Sequence, residues 1–220
     1  MDYIKKQDTI SIVLVGTFEP IYFHGNWMYD KGIINIDEWN RYKKNQNTLI
    51  LPAASKFNID CFEFICDQHR LQIMTEDISA SERIIDMLRN IILSLPSFQI
   101  SAIGINSEMI MGFTSAEDGY KFGTYFVNLN VWDGILNEPL VQQFAIEEKK
   151  DANNQIAKRT ITIKSSGGEK IDEEKRPLVS ISINNHFTAT SEEEIISILN
   201  NAENLYTDFR DIYNRLIKNI

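Results

Sequence analysis

Leu178-Val179-Ser180-Ile181-Ser182-Ile183-Asn184-Asn185-His186-Phe187, followed four residues later by Ser191-Glu192-Glu193-Glu194, decides the fold. Val179, Ile181, Ile183 and Phe187 fall on one face of an extended chain, and Ser180, Ser182 and Asn184 on the other. Such alternation belongs to an antiparallel strand with one face on a core and one in water. Upstream, Ile156 to Ile163 carries the same pattern, with Ile161 and Ile163 opposed to Thr160 and Thr162, and is the expected hairpin partner. The Gly- and charge-rich connection Ser165 to Pro177 is expected to be mobile. Downstream, Ser191 caps a helix from Ile195 to Ile217. Its apolar stripe includes Ile198, Leu199, Leu205, Phe209, Ile212 and Leu216. Glu192 to Glu194 in its first turn and Arg215 and Lys218 in its last both suit the helix dipole. Read as one rod it is about 40 Å long, enough to cross a sheet.

The same plan occurs earlier. Thr9 to Val15 is a β-branched strand. Leu49 to Leu51, Lys56 to Cys66 and His69 to Thr75 are further extended runs, the last two joined at Asp67-Gln68. Ser79 and Glu82 have capping-box spacing ahead of a helix from Arg83 to Leu95 that Pro96 ends. The second part opens with strands Phe98 to Asn106 and Met109 to Phe113, Gly104 marking a bulge or close approach. Thr114 to Tyr120 reads as a turn or single helical turn, and Tyr125 to Trp132 and Leu140 to Ile146 as strands. The expected fold is α+β, a mostly antiparallel sheet or sheets in two similar halves. Each half is a β-meander closed by an amphipathic helix on one face. The chain 1–220 is one domain, with pseudo-repeat halves 1–96 and 97–220.

A chain of 220 residues can bury a core without a metal or disulfide. Cys61 and Cys66 lie five apart in what reads as one strand, so they point apart. Two unbridged cysteines, an N-terminus MDYIKKQDTI with no apolar signal core, and no long apolar run lead to the expectation of a cytoplasmic protein without a membrane span. The net charge of −9 disfavours nucleic acid as a partner, since phosphate recognition rests on uncompensated Lys and Arg. The basic residues between Lys149 and Arg176 are interleaved with Asp151, Glu169, Asp172, Glu173 and Glu174.

Motifs for chemistry are sparse. His24, Asp30, Asp37 and Glu38, beside Trp27 and Trp39, match no metal-ligand spacing. His69 and His186 lie in predicted strands, where a structural histidine is the commoner reading. Asp60, Glu63 and Asp67 raise rather than lower nearby thiol pKa values, so Cys61 and Cys66 read as small hydrophobes. Gly167-Gly168 lacks the Gly-Lys-Ser/Thr end of a phosphate loop, Gly104 stands outside any dinucleotide fingerprint, and no Gly-x-Ser-x-Gly occurs. No catalytic residue, cofactor or metal is expected.

Leu95-Pro96 with the strand to Asn106, Tyr29-Asp30-Lys31-Gly32-Ile33-Ile34 followed by Trp39, the strand Ser180 to Phe187, and Phe209-Arg210-Asp211-Ile212-Tyr213 together resemble a loose family of uncharacterised bacterial proteins of similar length. The resemblance spans most of the chain. It implies one domain and carries no activity. The expected function is a non-enzymatic protein-interaction subunit or adaptor of a larger bacterial cytosolic assembly, in a mobile-element or antiviral defence setting. Its partner is another protein or a second copy. The candidate contact residues are Tyr22, Phe23, Trp27, Tyr29, Trp39, Tyr206 and Tyr213, because aromatic anchors are enriched at protein contacts. Two other readings stand beside it. One is a scattered, metal-dependent hydrolytic site using His24, Asp30 or His186. The other is a small-ligand module between sheet and helices. The aromatic stretch between Pro20 and Tyr42 and the stretch Glu147 to Pro177 are where function is expected.

Overall fold

The computed structural model describes residues 3–45, 47–95, 99–137, 139, 141–149, 158–171 and 174–218. In chain order its elements are β1 (Tyr3–Gly16), α1 (Gly25–Asp30), α2 (Ile36–Lys44), β2 (Leu49–Ile50), β3 (Ala54–Ile59), β4 (Phe62–Asp67), β5 (Arg70–Thr75), α3 (Ser81–Ser94), β6 (Ile100–Phe113), α4 (Ala116–Tyr125), β7 (Gln143–Lys149), β8 (Lys158–Ile171), β9 (Glu174–Thr188), α5 (Glu192–Asn200) and α6 (Ala202–Lys218). Short 3-10 turns stand at Pro20–Tyr22, Ile78–Ala80 and Leu129–Trp132. The fold is α+β. The nine strands form one antiparallel sheet in the order β2-β3-β4-β5-β1-β6-β9-β8-β7.

Alternation builds this sheet. One row across it reads Ile59, Phe62, Thr75, Ile10, Ser107, Ile183 and Ile161, each residue opposite the next. The adjacent row reads Asn58, Glu63, Met74, Ser11, Asn106, Asn184 and Thr160. The apolar face joins a single core with Leu88 and Ile91 of α3, Phe122 of α4, Leu199 of α5 and Phe209 of α6. Each such Ile, Leu or Phe taken out of water contributes about 1.5–3 kcal/mol. The helices therefore cover one side of the sheet, and the other side presents the polar row.

The long strands β1 and β6 sit side by side at the centre. Reading outward from β1 gives β5, β4, β3, β2, and outward from β6 gives β9, β8, β7. On each side the strand next to the centre is the one that leads into the closing helix, α3 or α5 with α6.

Several expected boundaries move, each for a local reason. Lys56 to Cys66 is a hairpin rather than one strand. Asp60 takes a positive φ of 53°, which Asp tolerates better than most residues, and Ile59 pairs with Phe62 across the turn. Cys61 is thus exposed at the tip while Cys66 is buried. The strand after Asp67 starts at Arg70, and His69 lies exposed in the turn. The expected Ser79–Glu82 capping box does not form: Asp77 accepts both the Ser79 N–H at 3.0 Å and the Ser79 hydroxyl at 2.6 Å. That bond commits Ser79 to a 3-10 turn, and α3 starts at Ser81 without a side-chain cap. Thr114 to Tyr120 leads into a full helix, α4, whose N-terminus Ser115 caps by accepting the Asp118 N–H at 3.0 Å. Tyr125 to Trp132 is accordingly helix end and 3-10 turn instead of strand.

Gly104 marks neither bulge nor close approach, since the nearest atom to an added Cβ lies 3.6 Å away. The terminal rod is two helices. Asn201 interrupts it at φ −97°, ψ 0°, its N–H turned to the Ile198 and Leu199 carbonyls. Both α5 and α6 pack against α3 and β6. The connection Ser165 to Pro177 is largely strand: β8 and β9 continue past a register shift between Ser166 and Glu169 to the pair Ile171–Glu174. Pro96, Phe98, Leu140 and Ile156 lie outside the described residues.

Candidate interaction surfaces

The expected aromatic contact residues divide by burial. The chain leaves β1 through Phe18, enters the 3-10 turn at Pro20, and forms α1, whose N-terminus is capped when His24 Nδ1 accepts the Trp27 N–H at 3.1 Å. Burial lowers the His24 pKa below its ordinary 6.5, and Asp30 only partly offsets this. Phe23 is buried between Phe18, at 6.0 Å, and Trp27, at 5.3 Å. Tyr29 stacks on Trp39 at 4.6 Å, Lys43 sits over the same indole, and Trp39 Nε1 donates to Asn26. Asn35 and Glu38 form a capping box at the start of α2. Buried Glu38 also accepts two bonds from Arg83, which donates as well to the Ile33 carbonyl at 2.8 Å, so α2 is bolted to α3.

A groove of about 490 Å³ remains here, lined by Phe18, Tyr22, Trp27 and Leu95 with Glu19 and Lys31 at its polar edge. Of the expected contact residues, Tyr22 is exposed, and Trp27, Tyr29 and Trp39 are half-buried. Phe23, Tyr206 and Tyr213 are buried. Tyr213 is on the buried face of α6, its hydroxyl donating to Ser107 Oγ at 3.0 Å.

A second surface escaped the sequence reading. Past α4 the chain turns back through the 3-10 turn Leu129–Trp132 and a loop with Gly134 at φ +75° before it enters β7. Along it Val131, Trp132, Ile135 and Leu136 are exposed, Val131 and Ile135 by 63% and 68%. Tyr125 at the end of α4 and Ile146 in β7 are exposed as well. Phe126 ties this region to the core, 5.5 Å from Phe122 and 5.4 Å from Phe144. β7 is the last strand at that end of the sheet. The signal was present in the sequence as Val131-Trp132 and Ile135-Leu136, two apolar pairs at helical spacing set among Asn130, Asp133 and Asn137.

The histidines serve separate local roles. His24 caps α1, His69 lies in a turn, and His186 stands opposite Gly104 and Lys158 in the sheet. Among the described residues no three His, Cys, Asp or Glu side chains are grouped to hold a metal ion. Burial, reinforced by Asp67, pushes the Cys66 thiol up to about 12. No helix among the described residues is long and apolar enough to cross a membrane. The chain matches no protein-family profile and no curated protein sequence.

Proposed function

We propose that this protein is a non-enzymatic interaction subunit of a larger bacterial cytosolic assembly, and that it meets its partner through the apolar connection between α4 and β7. One observation carries this reading: Tyr125, Val131, Trp132, Ile135 and Leu136 are exposed within a short stretch of chain. Large apolar side chains gathered at a surface, rather than scattered, mark protein contacts. Trp and Tyr are the residue types that most often anchor such contacts.

The occupant is another protein that presents apolar side chains within a basic rim. The chain carries a net charge of −9, and Asp133 sits inside the exposed segment, so like charge disfavours a second copy. The aromatic groove at Phe18 and Trp27 is a second, smaller contact in the same reading.

Tagged protein recovered from its native host tests this. Wild type is expected to bring down one stoichiometric partner, and Ile135→Glu with Leu136→Lys to lose it while the melting temperature stays unchanged. A wild-type protein recovered as a lone monomer, or a partner kept by the charged variant, overturns the reading.

A further inference from the structure

The two edges of the sheet are unlike. At one end β2 is two residues long and offers little to a passing strand. At the other, β7 runs for seven residues, contains no proline, and keeps an unbroken register with β8. Short strands, prolines and bulges are the usual guards of a sheet edge, and β7 has none of them. Gln142 accepts the Ser165 N–H at 2.8 Å. Backbone bonding in an antiparallel ladder alternates from such a pair. Phe144, Ile146 and Glu148 therefore bond to β8, while Gln143 and Ala145 turn their N–H and C=O groups outward. The side chains of Phe144, Ile146 and Glu148 share the face of the sheet that takes the helices. Phe126 covers Phe144 at 5.4 Å, but Ile146 is 60% exposed and Glu148 is exposed beyond it. On the other face Glu147 is paired with Lys158.

We infer that an extended segment of the partner protein lies antiparallel along β7 as a tenth strand of the sheet. The outward backbone groups recur at every second residue, about 7 Å apart, which is the spacing of another extended backbone. The antiparallel sense continues that of the pairs on the way to this edge. On the face shared with the helices the segment sets a basic side chain across from Glu148 and apolar ones across from Ile146 and Phe144. In its own chain order it therefore reads basic-x-apolar-x-apolar. Glu148 turns away an acidic strand, which makes the edge selective. β7 follows directly on the connection from α4, so this inference rests on that connection being a contact surface and adds the form its partner takes.

The acetylated and amidated peptide Thr-Arg-Thr-Val-Thr-Val-Thr, added to the full chain at millimolar concentration, tests the edge alone. Amide hydrogen exchange is expected to slow at Gln143 and Ala145 and to stay unchanged along β2. Ala145→Pro removes an outward N–H and no bond to β8, and is expected to weaken peptide binding about tenfold. Ala145→Thr keeps that N–H and is expected to bind as wild type. The peptide with glutamate in place of arginine, or with its threonine nitrogens methylated, is expected not to bind. Absence of protection at Gln143 and Ala145 overturns the assignment, as does equal binding by either altered peptide or by Ala145→Pro. A dimer of the chain alone that Ala145→Pro dissolves gives the edge to a second copy and overturns it too. Each of these failures is distinct from failure of the contact at Ile135 and Leu136, which recovery from the native host reads separately.

Discussion

Glu38 shows how one side chain carries two jobs. It closes the capping box of α2 by accepting the Asn35 N–H at 2.7 Å, and it receives Arg83 from α3. Removing Arg83 leaves a buried carboxylate without its cation. That loss costs several kcal/mol in a fully buried pair and less here because Arg83 is partly exposed. Arg83→Ala is expected to destabilise by ~2 kcal/mol, lowering the melting temperature by roughly 4–8 °C. An unchanged melting temperature contradicts the role. His24 adds a pH dependence. Its folded pKa lies below the unfolded value near 6.5, so the unfolded chain takes up the proton first. The contribution is whole above that value and falls as the pH drops from about 6.5 towards the folded pKa. Protonated Nδ1 also cannot accept the Trp27 N–H. The Trp27 amide resonance is therefore expected to titrate with a midpoint below 6.5 in the folded protein, and a midpoint above it contradicts the account. Neither contact was legible in the sequence: Arg83 is 45 residues from Glu38, and histidine is an unusual cap.

Elements were legible where a period repeats without interruption. The alternation in β9 and β8 and the stripes of α3, α5 and α6 gave the right faces. They failed where one residue overrides the period. Asp60 folds a single-looking strand into a hairpin, Asp77 diverts Ser79 from capping α3, and Asn201 breaks a stripe that reads as continuous. Glycine shows the same limit. Gly104 drew notice in the sequence because it stands inside a strand, yet a Cβ there meets nothing closer than 3.6 Å. A close approach to backbone is at Gly16, at the end of β1, where an added Cβ would lie 2.2 Å from the Gln99 carbonyl oxygen. Backbone cannot step aside as a side chain can. Gly16→Ala is expected to destabilise by more than about 2 kcal/mol in chemical denaturation, and Gly104→Ala to be neutral or to stabilise by about 0.5 kcal/mol. Equal effects at the two positions contradict the packing described.

At the scale of the molecule, apolar residues are sorted by the sheet. One face takes the helices and the core, the other carries the polar row through Met74, Ser11 and Asn106, and the centre is the β1–β6 pair. The sequence anticipated antiparallel strands and closing helices. It left open whether the halves shared a sheet, because no local pattern encodes that Ile12 pairs with Ile105. Of the aromatic residues it picked out as contacts, Phe23, Tyr206 and Tyr213 are buried, since an aromatic residue alone does not say which way it points. The connection between α4 and β7 remains outside this sorting, with Trp132 and Ile135 turned to solvent.

The contact surface proposed for this protein is this connection. Photo-crosslinking inside the native host, from a benzophenone amino acid at Ile135 and, as control, at the equally exposed Leu93 of α3, tests it most directly. One dominant crosslinked protein is expected from position 135 and none from position 93. Crosslinks of the same pattern from both positions, or none from 135, would contradict it.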